Sequence, residues 1–254
     1  MLARSILITG CNRGIGLEMV RQLVNSTNPP NILIATCRNP AKATELLELA
    51  KKFPMLKVIQ FDVTDYSSLP RIVDEVKAAV GDKGLNLLIN NAGVLEKCPS
   101  QIFGIPLQNL EVKVFQDVLE ANTTAPLFLI KALLPLLKEA ANVGGQMSVS
   151  RAAVVNMSSI LASMGGFTGN PDIYGYRASK AALNMITKAL AEDFGKEGMF
   201  FVALHPGWVQ TDMGTSAAMI SAEDSVASMF QVLPTLSERH NGLLVSYTGD
   251  ILPW

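Results

Sequence analysis

Tyr176 and Lys180 form the pair of side chains with the clearest capacity for chemistry in this sequence. Residues four apart lie on the same face of a helix, one turn from each other. An ammonium group beside a phenol favours the phenolate, so Lys180 is expected to lower the pKa of Tyr176 toward the range of a proton donor or acceptor. The same spacing also occurs where a tyrosine is half-buried and a lysine is solvated, so other stretches must support the chemical interpretation.

A glycine-rich turn near the start of the chain supplies that support. The apolar run Ser5-Ile6-Leu7-Ile8-Thr9 predicts a buried strand, and a helical pattern follows from Leu17. Between them lies Gly10-Cys11-Asn12-Arg13-Gly14-Ile15-Gly16. Glycines allow a tight turn and a close approach to a ligand, and a helix N-terminus offers free N–H groups to a pyrophosphate. A dinucleotide site is therefore predicted, although a plain strand-to-helix turn has the same glycines.

Two arginines indicate which dinucleotide would bind. In such folds the residue that ends the second strand meets the adenosine ribose, where an acid would hold the 2′-hydroxyl. Here the strand Ile32 to Thr36 is followed by Cys37 and Arg38, and no acid is present. Arg13 would approach from the glycine turn. Two guanidinium groups suit a 2′-phosphate, so NADPH is predicted over NADH.

The elements that position these residues alternate between apolar runs and amphipathic helical patterns. This alternation predicts an α/β fold, a Rossmann-type doubly wound parallel sheet in a single domain over residues 1–254. Asp62-Val63, at the end of the third strand, is placed where an adenine edge could be bound. Asn90 ends the fourth strand, in the same crevice at the carboxyl ends of the strands.

Composition excludes several classes of function. The chain has 254 residues, 49% of them hydrophobic and 17% charged, with a formal net charge of -1. This balance favours a large core and shows no basic excess for nucleic acid or an anionic membrane. Cys11, Cys37 and Cys98 show neither metal-ligand spacing nor a paired framework, which suits a reducing compartment. We therefore expect a cytoplasmic protein with no metal and no membrane segment.

Taken together, these motifs resemble the short-chain dehydrogenase/reductase family. The matching features are Thr9-Gly10 to Gly16, Asn90-Asn91-Ala92-Gly93, Ser159 with Tyr176 and Lys180, Asn122, and Pro206-Gly207. They follow the family's order and span nearly the whole chain. The sequence is most similar to the branch of sniffer-type carbonyl reductases and the related C-factor proteins, through Cys37 to Pro40, Tyr176 to Lys180, His205 to Gly214 and Leu252-Pro253-Trp254.

The resemblance implies a role for each catalytic residue. Tyr176 would be the general acid in hydride transfer to a carbonyl, and Lys180 would hold the nicotinamide ribose hydroxyls. Ser159 would bind the carbonyl oxygen, where negative charge develops. Asn122 would hold a water that links Lys180 to solvent. The backbone at Val209 and the hydroxyl of Thr211 would anchor the carboxamide.

Two departures from the family pattern leave alternatives open. The separation between Ser159 and Tyr176 is wider than the commonest family spacing, so Ser158 or Ser163 could take the serine's role. Ser159 is preferred because it follows an Asn-Met-Ser pattern at a strand end. The stretch Asn142 to Arg151, rich in glycine and serine, is predicted to be a flexible insertion of unknown function.

The predicted activity is NADPH-dependent reduction of aldehydes, ketones or quinones by a homodimer paired through the Asn122 and Tyr176 helices. One alternative is a non-catalytic dinucleotide-binding protein that acts in signalling, and another is an alcohol or steroid dehydrogenase that runs oxidatively. His205 is expected to be a structural histidine at a strand end, and Trp208 is expected to be either a pocket wall or core packing. An apolar substrate pocket could be lined by Leu95, Leu161, Phe167, Met213 and Met219.

Overall fold

Seven parallel strands form one sheet in the part of the chain that the computed structural model describes, residues 1–96, 104–167, 169 and 172–254. The sequence also predicts a loop from Cys98 to Leu110, and its part before Gly104, with Cys98, lies outside these ranges. The strands are β1 (Ser5–Ile8), β2 (Ile32–Cys37), β3 (Leu56–Gln60), β4 (Leu87–Asn90), β5 (Ala153–Met157), β6 (Phe200–His205) and β7 (Leu244–Ser246). Their spatial order is β3-β2-β1-β4-β5-β6-β7. From β1 the strand order runs outward to β3 on one side, and from β4 it runs outward to β7 on the other. A ligand crevice is expected where the order changes direction, between β1 and β4.

Helices cover both faces of the sheet. They are α1 (Gly14–Asn25), α2 (Thr44–Lys52), α3 (Leu69–Val80), α4 (Val112–Leu119), α5 (Ala125–Ala141), α6 (Tyr174–Phe194) and α7 (Ala222–Val232). Side chains of α1, α2 and α7 join one core cluster, and those of α3, α5 and α6 join the other. The predicted α/β, doubly wound fold is therefore confirmed.

Alternation along the strands explains the two core layers. Ile6 and Ile8 of β1 face the first cluster, while Leu7 faces the second, and all three are fully buried. Successive side chains of a strand point to opposite faces, so an unbroken apolar run is needed when both faces are covered. Each such side chain contributes about 1.5–3 kcal/mol when it is buried.

The long apolar stretch from Val112 to Lys138 contains Pro126 and Pro135, so the sequence predicts that it is not one straight helix. The structure divides it, but not at both prolines. A π-helical turn over Glu120–Thr124 separates α4 from α5, and Pro126 lies in the first turn of α5. Pro135, expected to interrupt the helix, lies inside α5 instead.

The glycine-rich insertion lies outside the helices and strands but is tied down by Arg151. The Nε and Nη2 atoms of its guanidinium donate to the carbonyl of Ala141 at 3.0 and 2.6 Å. Its Nη1 donates to the carbonyl of Gly145 at 2.5 Å. Arg151 thus caps the end of α5, where unpaired carbonyls and the helix dipole favour a cation.

No helix within the described ranges is long and apolar enough to cross a bilayer. Cys11 and Cys37 are buried free thiols, and burial raises the pKa of both. A raised pKa leaves little thiolate at neutral pH, so these two cysteines are poor nucleophiles.

Candidate active site

A cleft opens at the carboxyl ends of the strands, across the point where β1 and β4 lie side by side. Most of the predicted cofactor residues line it, namely Gly10, Asn12, Arg13, Gly14, Ile15, Gly16, Arg38, Asp62, Val63, Ala92, Gly93, Tyr176, Lys180, Pro206 and Thr211. Asn90, Gly207 and Val209, together with Asn122 and Ser159, lie outside its wall. The cleft therefore joins the glycine turn at one end to the tyrosine–lysine pair at the other.

The glycine turn is shaped so closely that side chains are excluded. Gly10 has a φ of +73°, and a Cβ atom there would lie 2.9 Å from the Cα of Ala92. A Cβ on Gly16 would lie 2.3 Å from the carbonyl oxygen of Gly10 and 2.6 Å from Nδ2 of Asn91. The strand ends of β1 and β4 thus pack backbone to backbone, which leaves the N-terminus of α1 open to the cleft.

The N-terminus of α1 fits an anionic group. Its N-cap residue, Arg13, makes no side-chain capping bond, so the first N–H groups of the helix are not satisfied by a cap. Such a helix end, with its partial positive charge, is suited to a pyrophosphate. The cradle of glycines and this helix end together fit the dinucleotide that the sequence predicts.

The two arginines at the cleft are arranged differently from each other. Arg38 is exposed at the end of β2, where a 2′-phosphate would be met. The Nη1 atom of Arg13 instead lies 2.6 Å from Oδ2 of Asp212, on the loop after β6, and both side chains are about two-thirds exposed. Arg13 thus spans the cleft, and its guanidinium is shared with an acid that the sequence did not single out.

Polar residues at the ends of β3 and β4 have distinct partners. Asp62 accepts the backbone N–H and the hydroxyl of Thr64 through Oδ1, which fixes its side chain at the cleft. Asn90 is buried and donates to Oδ1 of Asn156, whose own Nδ2 donates to Thr187. The side chain of Asn90 therefore ties β4 to β5 and α6 instead of facing the cleft.

The tyrosine–lysine pair is close but not arranged as expected. Nζ of Lys180 lies 5.6 Å from the centroid of the Tyr176 ring and donates to the Met157 carbonyl at 2.6 Å. Burial raises the pKa of Tyr176 to about 12, against an opposing effect of the Ser159 hydroxyl, and the charge of Glu96 raises it further. The lowering of this pKa expected from Lys180 is not found, because burial disfavours the phenolate more strongly.

Lys180 responds to the same burial in the opposite sense. Only 4% of Lys180 is exposed, and desolvation lowers its pKa to about 8. At neutral pH the phenol of Tyr176 therefore keeps its proton while most of the Lys180 population keeps its charge. This is the protonation state that a proton donor beside a cation requires.

The three serines considered for the carbonyl-binding role have different surroundings. Ser158 donates its hydroxyl to Oδ1 of Asn184 at 2.6 Å, and Ser163 accepts the N–H of Gly166 at 2.8 Å. Ser159 accepts the N–H of Leu161 at 3.1 Å, and its hydroxyl acts on the Tyr176 phenol. Of the three serines, Ser159 is the one that is hydrogen-bonded to the Tyr176 phenol, whereas Ser158 contributes to the cleft wall.

Asn122 is fully buried on the π-helical turn, and both polar atoms of its carboxamide are hydrogen-bonded. Its Oδ1 accepts the N–H of Val94, and its Nδ2 donates to the Val94 carbonyl, each at 2.8 Å. Nδ2 also lies 3.0 Å from Oγ of Ser179. Asn122 therefore locks the segment after β4 against α6, and π-helical turns often mark such functional positions.

Of the five described side chains predicted to line an apolar substrate pocket, one lies in the cleft wall. Phe167 is 59% exposed and Met219 is 86% exposed, while Met213 contributes to the cleft wall. Leu95 and Leu161 are half-buried. Arg177 stacks on the ring of Phe167 at 4.6 Å and donates to the Leu161 carbonyl at 3.2 Å, a restraint that the sequence did not predict.

His205 and Trp208 lie beside this region. Burial lowers the pKa of His205 to about 4, and its buried Nδ1 has no hydrogen-bond partner. Trp208 is 43% exposed and donates its Nε1 proton to the Gly214 carbonyl at 2.9 Å. Trp208 thereby braces the loop that carries Thr211 and Asp212.

Sequence reasoning missed Glu96 altogether. It is 2% exposed and accepts the backbone N–H of Tyr176 through both carboxylate oxygens. An acid in a loop forms no motif of its own. The only local signal was the absence of a capping side chain before α6, whose N-cap residue is Ile173.

Comparison with known proteins places this geometry in a family. The model of the short chain dehydrogenase family matches residues 4–219. The solved structure of the carbonyl reductase Sniffer of Drosophila melanogaster is 41% identical, with a TM-score of 0.95 over 99% of this chain and 100% of that one. The NADPH-bound carbonyl reductase from chicken fatty liver is 40% identical, with a TM-score of 0.92 and 99% of each chain covered. The C-signal protein of Myxococcus xanthus is 35% identical across 67% of this chain and 93% of its own length.

Proposed function

This chain belongs to the short-chain dehydrogenase family, and we propose that it is an NADPH-dependent carbonyl reductase. The observation that carries the proposal is that Tyr176, hydrogen-bonded to Ser159, lies with Lys180 at one end of a cleft whose other end is a glycine cradle. A protein that only bound a dinucleotide would not need a buried proton donor. In this proposal, residues 1–254 form one NAD(P)-binding domain.

The cofactor would be held along the cleft by groups already in place. The turn from Gly10 to Gly16 and the N-terminus of α1 would bind the pyrophosphate, and Arg38 would bind the 2′-phosphate. Asp62 and Val63 would lie at the adenine, and Lys180 at the nicotinamide ribose. Backbone at Asn90, Ala92, Gly93, Pro206, Gly207 and Val209, with the Thr211 hydroxyl, would complete the site. When bound, NADPH supplies the hydride.

Proton transfer would fall to Tyr176. Its raised pKa keeps the phenol neutral, so it can donate a proton as negative charge develops on the carbonyl oxygen. Ser159 would donate a hydrogen bond to the same oxygen. Lys180 would favour proton loss from Tyr176 at that moment through its charge, and Asn122 would hold the water that returns a proton from solvent.

The substrate would be an aldehyde, ketone or quinone with an apolar body. Met213 supports this class because it offers apolar surface in the cleft wall, and Phe167 and Met219 expose further apolar surface on the protein. The relatives solved as carbonyl reductases support it as well. Oxidation of an alcohol is a less favoured direction. The two arginines at the cleft favour a cofactor with a 2′-phosphate, and the NADPH pool is usually kept reduced.

A signalling role without catalysis is the second candidate. The similarity to the C-signal protein favours it, and that protein is matched over 67% of this chain. The buried set of Asn122, Ser159, Tyr176 and Lys180 favours the enzyme, since a binding protein gains nothing from a proton donor.

We further propose a cytoplasmic homodimer. Val112 of α4 and Met185 of α6 are 73% and 68% exposed, and Phe128 of α5 is 40% exposed. Apolar side chains exposed on neighbouring helices are typical of a buried interface between subunits. Sedimentation would show a mass of twice 27.3 kDa if the pairing is correct.

Steady-state assays test the proposed function. NADPH consumption by the purified protein would be measured with a panel of quinones, aromatic aldehydes and ketones, and NADH would serve as the comparison. We expect turnover with NADPH that falls as the pH rises through about 8, where Lys180 loses its charge. Tight NADPH binding with no turnover on any carbonyl of the panel would favour the signalling candidate.

A further inference from the structure

We propose that Glu96 is a positioning residue for the proton donor: its buried carboxylate holds the first turn of α6, and with it the Tyr176 phenol, in place for proton transfer. The proposal rests on the proposed function for its catalytic consequence. The geometry on which it depends does not require that function.

The first turn of α6 lacks a cap of its own. The helix begins at Tyr174 after Ile173, an apolar residue whose side chain makes no capping bond. The first four N–H groups of a helix have no partner inside it and need one from elsewhere. Here a residue 80 positions earlier in the chain supplies the partner.

Both carboxylate oxygens of Glu96 form hydrogen bonds with this turn. Oε2 and Oε1 accept the backbone N–H of Tyr176 at 2.9 and 3.2 Å. A Cβ built on Gly175 would lie 3.4 Å from Oε2, so the carboxylate packs directly against the turn. Glu96 is 2% exposed, so water does not compete for these bonds. Charge-assisted bonds of this kind are roughly twice as strong as neutral ones.

The same carboxylate lies where its charge acts on the phenol. A negative charge disfavours the phenolate, and Glu96 raises the pKa of Tyr176 beyond the effect of burial. Other charged residues on or directly before the first turns of α6 include Asp172, Arg177 and Lys180, and Asp212 of the cleft wall is paired with Arg13. Lys97, the neighbour of Glu96, lies outside the described residues. Glu96 would thus keep Tyr176 in its proton-donating form as well as in position.

The chain offers a matched pair of variants. Glu96→Gln keeps the shape and one acceptor oxygen but removes the charge. Glu111→Gln makes the same change at the N-cap of α4, where the exposed Glu111 makes no side-chain capping bond. Glu96→Asp keeps the charge but shortens the reach. Each would be compared with the wild type in two measurements, the pH dependence of turnover and amide hydrogen exchange of the α6 first turn.

We expect Glu96→Gln to accelerate exchange at Tyr176. It should also move the upper alkaline limb of the turnover profile, where Tyr176 loses its proton above the Lys180 limb near pH 8, to lower pH by roughly half a unit. kcat should fall by about 10-fold, with KM for NADPH within about 2-fold of wild type. Glu96→Asp should keep the wild-type limb while exchange accelerates. Glu111→Gln should change neither measurement.

Two results would overturn the proposal. Glu96→Gln and Glu111→Gln could behave alike in both measurements, which would exclude any hold on α6. Alternatively, exchange could accelerate in Glu96→Gln while kcat and the pH limb stay at wild type, which would make Glu96 a structural cap alone. A wild-type protein with no turnover would count against the proposed function instead. In that case exchange at Tyr176 still decides whether Glu96 holds the helix.

Discussion

The two ends of the cleft are built by different means. At the cofactor end, the turn from Gly10 to Gly16 is a short segment of the sequence, and Gly10 and Gly16 leave no room for a Cβ atom. At the substrate end, Tyr176 is held by contacts from distant parts of the chain, among them Glu96 and Ser159. A short sequence motif therefore specifies the cofactor end, whereas long-range packing specifies the substrate end. Substitutions at the cofactor end should act on NADPH binding, and those at the substrate end should act on the turnover rate.

The largest effect should follow Gly16→Ala. The added Cβ would meet backbone at 2.3 Å, and a backbone atom cannot rotate away. Overpacking of this kind costs about 1–3 kcal/mol or more, so we expect lower thermal stability and a loss of NADPH binding. Calorimetry and fluorescence titration would measure the two effects.

Gly144→Ala is the matched control, because Gly144 has a φ of +81° but no atom within 4 Å of its added Cβ. It should cost about 1–2 kcal/mol from backbone strain and leave binding intact. If Gly16→Ala bound NADPH like Gly144→Ala, the account of a closely packed cradle would be wrong.

Arg38→Asp should change which cofactor binds. An acid at the end of β2 repels a 2′-phosphate and accepts a 2′-hydroxyl, so the ratio of kcat/KM for NADPH over NADH should fall by about 100-fold, or about 2.7 kcal/mol. Lys77→Asp, on an exposed position of α3, makes the same charge change away from the cleft. An unchanged ratio in Arg38→Asp would show that Arg38 does not bind the 2′-phosphate.

Buried His205 should make the stability of the protein sensitive to acid. Its pKa is about 4 in the fold and about 6.5 when unfolded, so the unfolded chain binds more protons between these values. The free energy of unfolding should therefore fall as the pH drops from 6.5 to 4, by about 1–3 kcal/mol. The pKa of His240 is also lowered and adds to the same trend.

His205→Gln isolates the contribution of His205. The difference in the free energy of unfolding between wild type and variant, measured by urea denaturation across this pH range, should shrink toward pH 4. A constant difference would mean that His205 does not titrate as its burial implies.

Asp212→Asn should have the smallest effect. The Arg13–Asp212 pair is largely exposed, so breaking it costs at most about 1 kcal/mol. The freed guanidinium could then serve the cofactor phosphate, and the Kd for NADPH should fall by about 2- to 5-fold while that for NADH stays constant. The double variant Arg13→Met with Asp212→Asn should lose this gain. Equal tightening for both cofactors would place Arg13 away from the 2′-phosphate.

The fold could be predicted from the sequence because its signals are local. Apolar runs such as Ile32 to Thr36 predicted buried parallel strands, and β2 is such a strand. Pro135 was a wrong guide, because a proline within α5 is tolerated among helical neighbours. The predicted homodimer and the role of the insertion stay predictions.

The site was predictable only where a motif carried it. Tyr176, Lys180 and the glycine turn lie together at the cleft, as their spacing indicated. The raised pKa of Tyr176 was not predictable, since burial and the charge of Glu96 depend on the folded structure. The same holds for the Gly165 N–H, which donates to the carbonyl of Trp254 at 2.6 Å across 89 positions of sequence.

Tyr176→Phe tests the central claim most directly, because it removes the proton donor and leaves the ring in place. NADPH binding and single-turnover reduction of a quinone or aromatic aldehyde would be measured on the same preparation. We predict a Kd for NADPH within about 3-fold of wild type and a reduction rate lower by at least about 1,000-fold, the order expected for loss of a general acid. A variant that binds NADPH and still reduces the carbonyl at a wild-type rate would contradict Tyr176 as the acid.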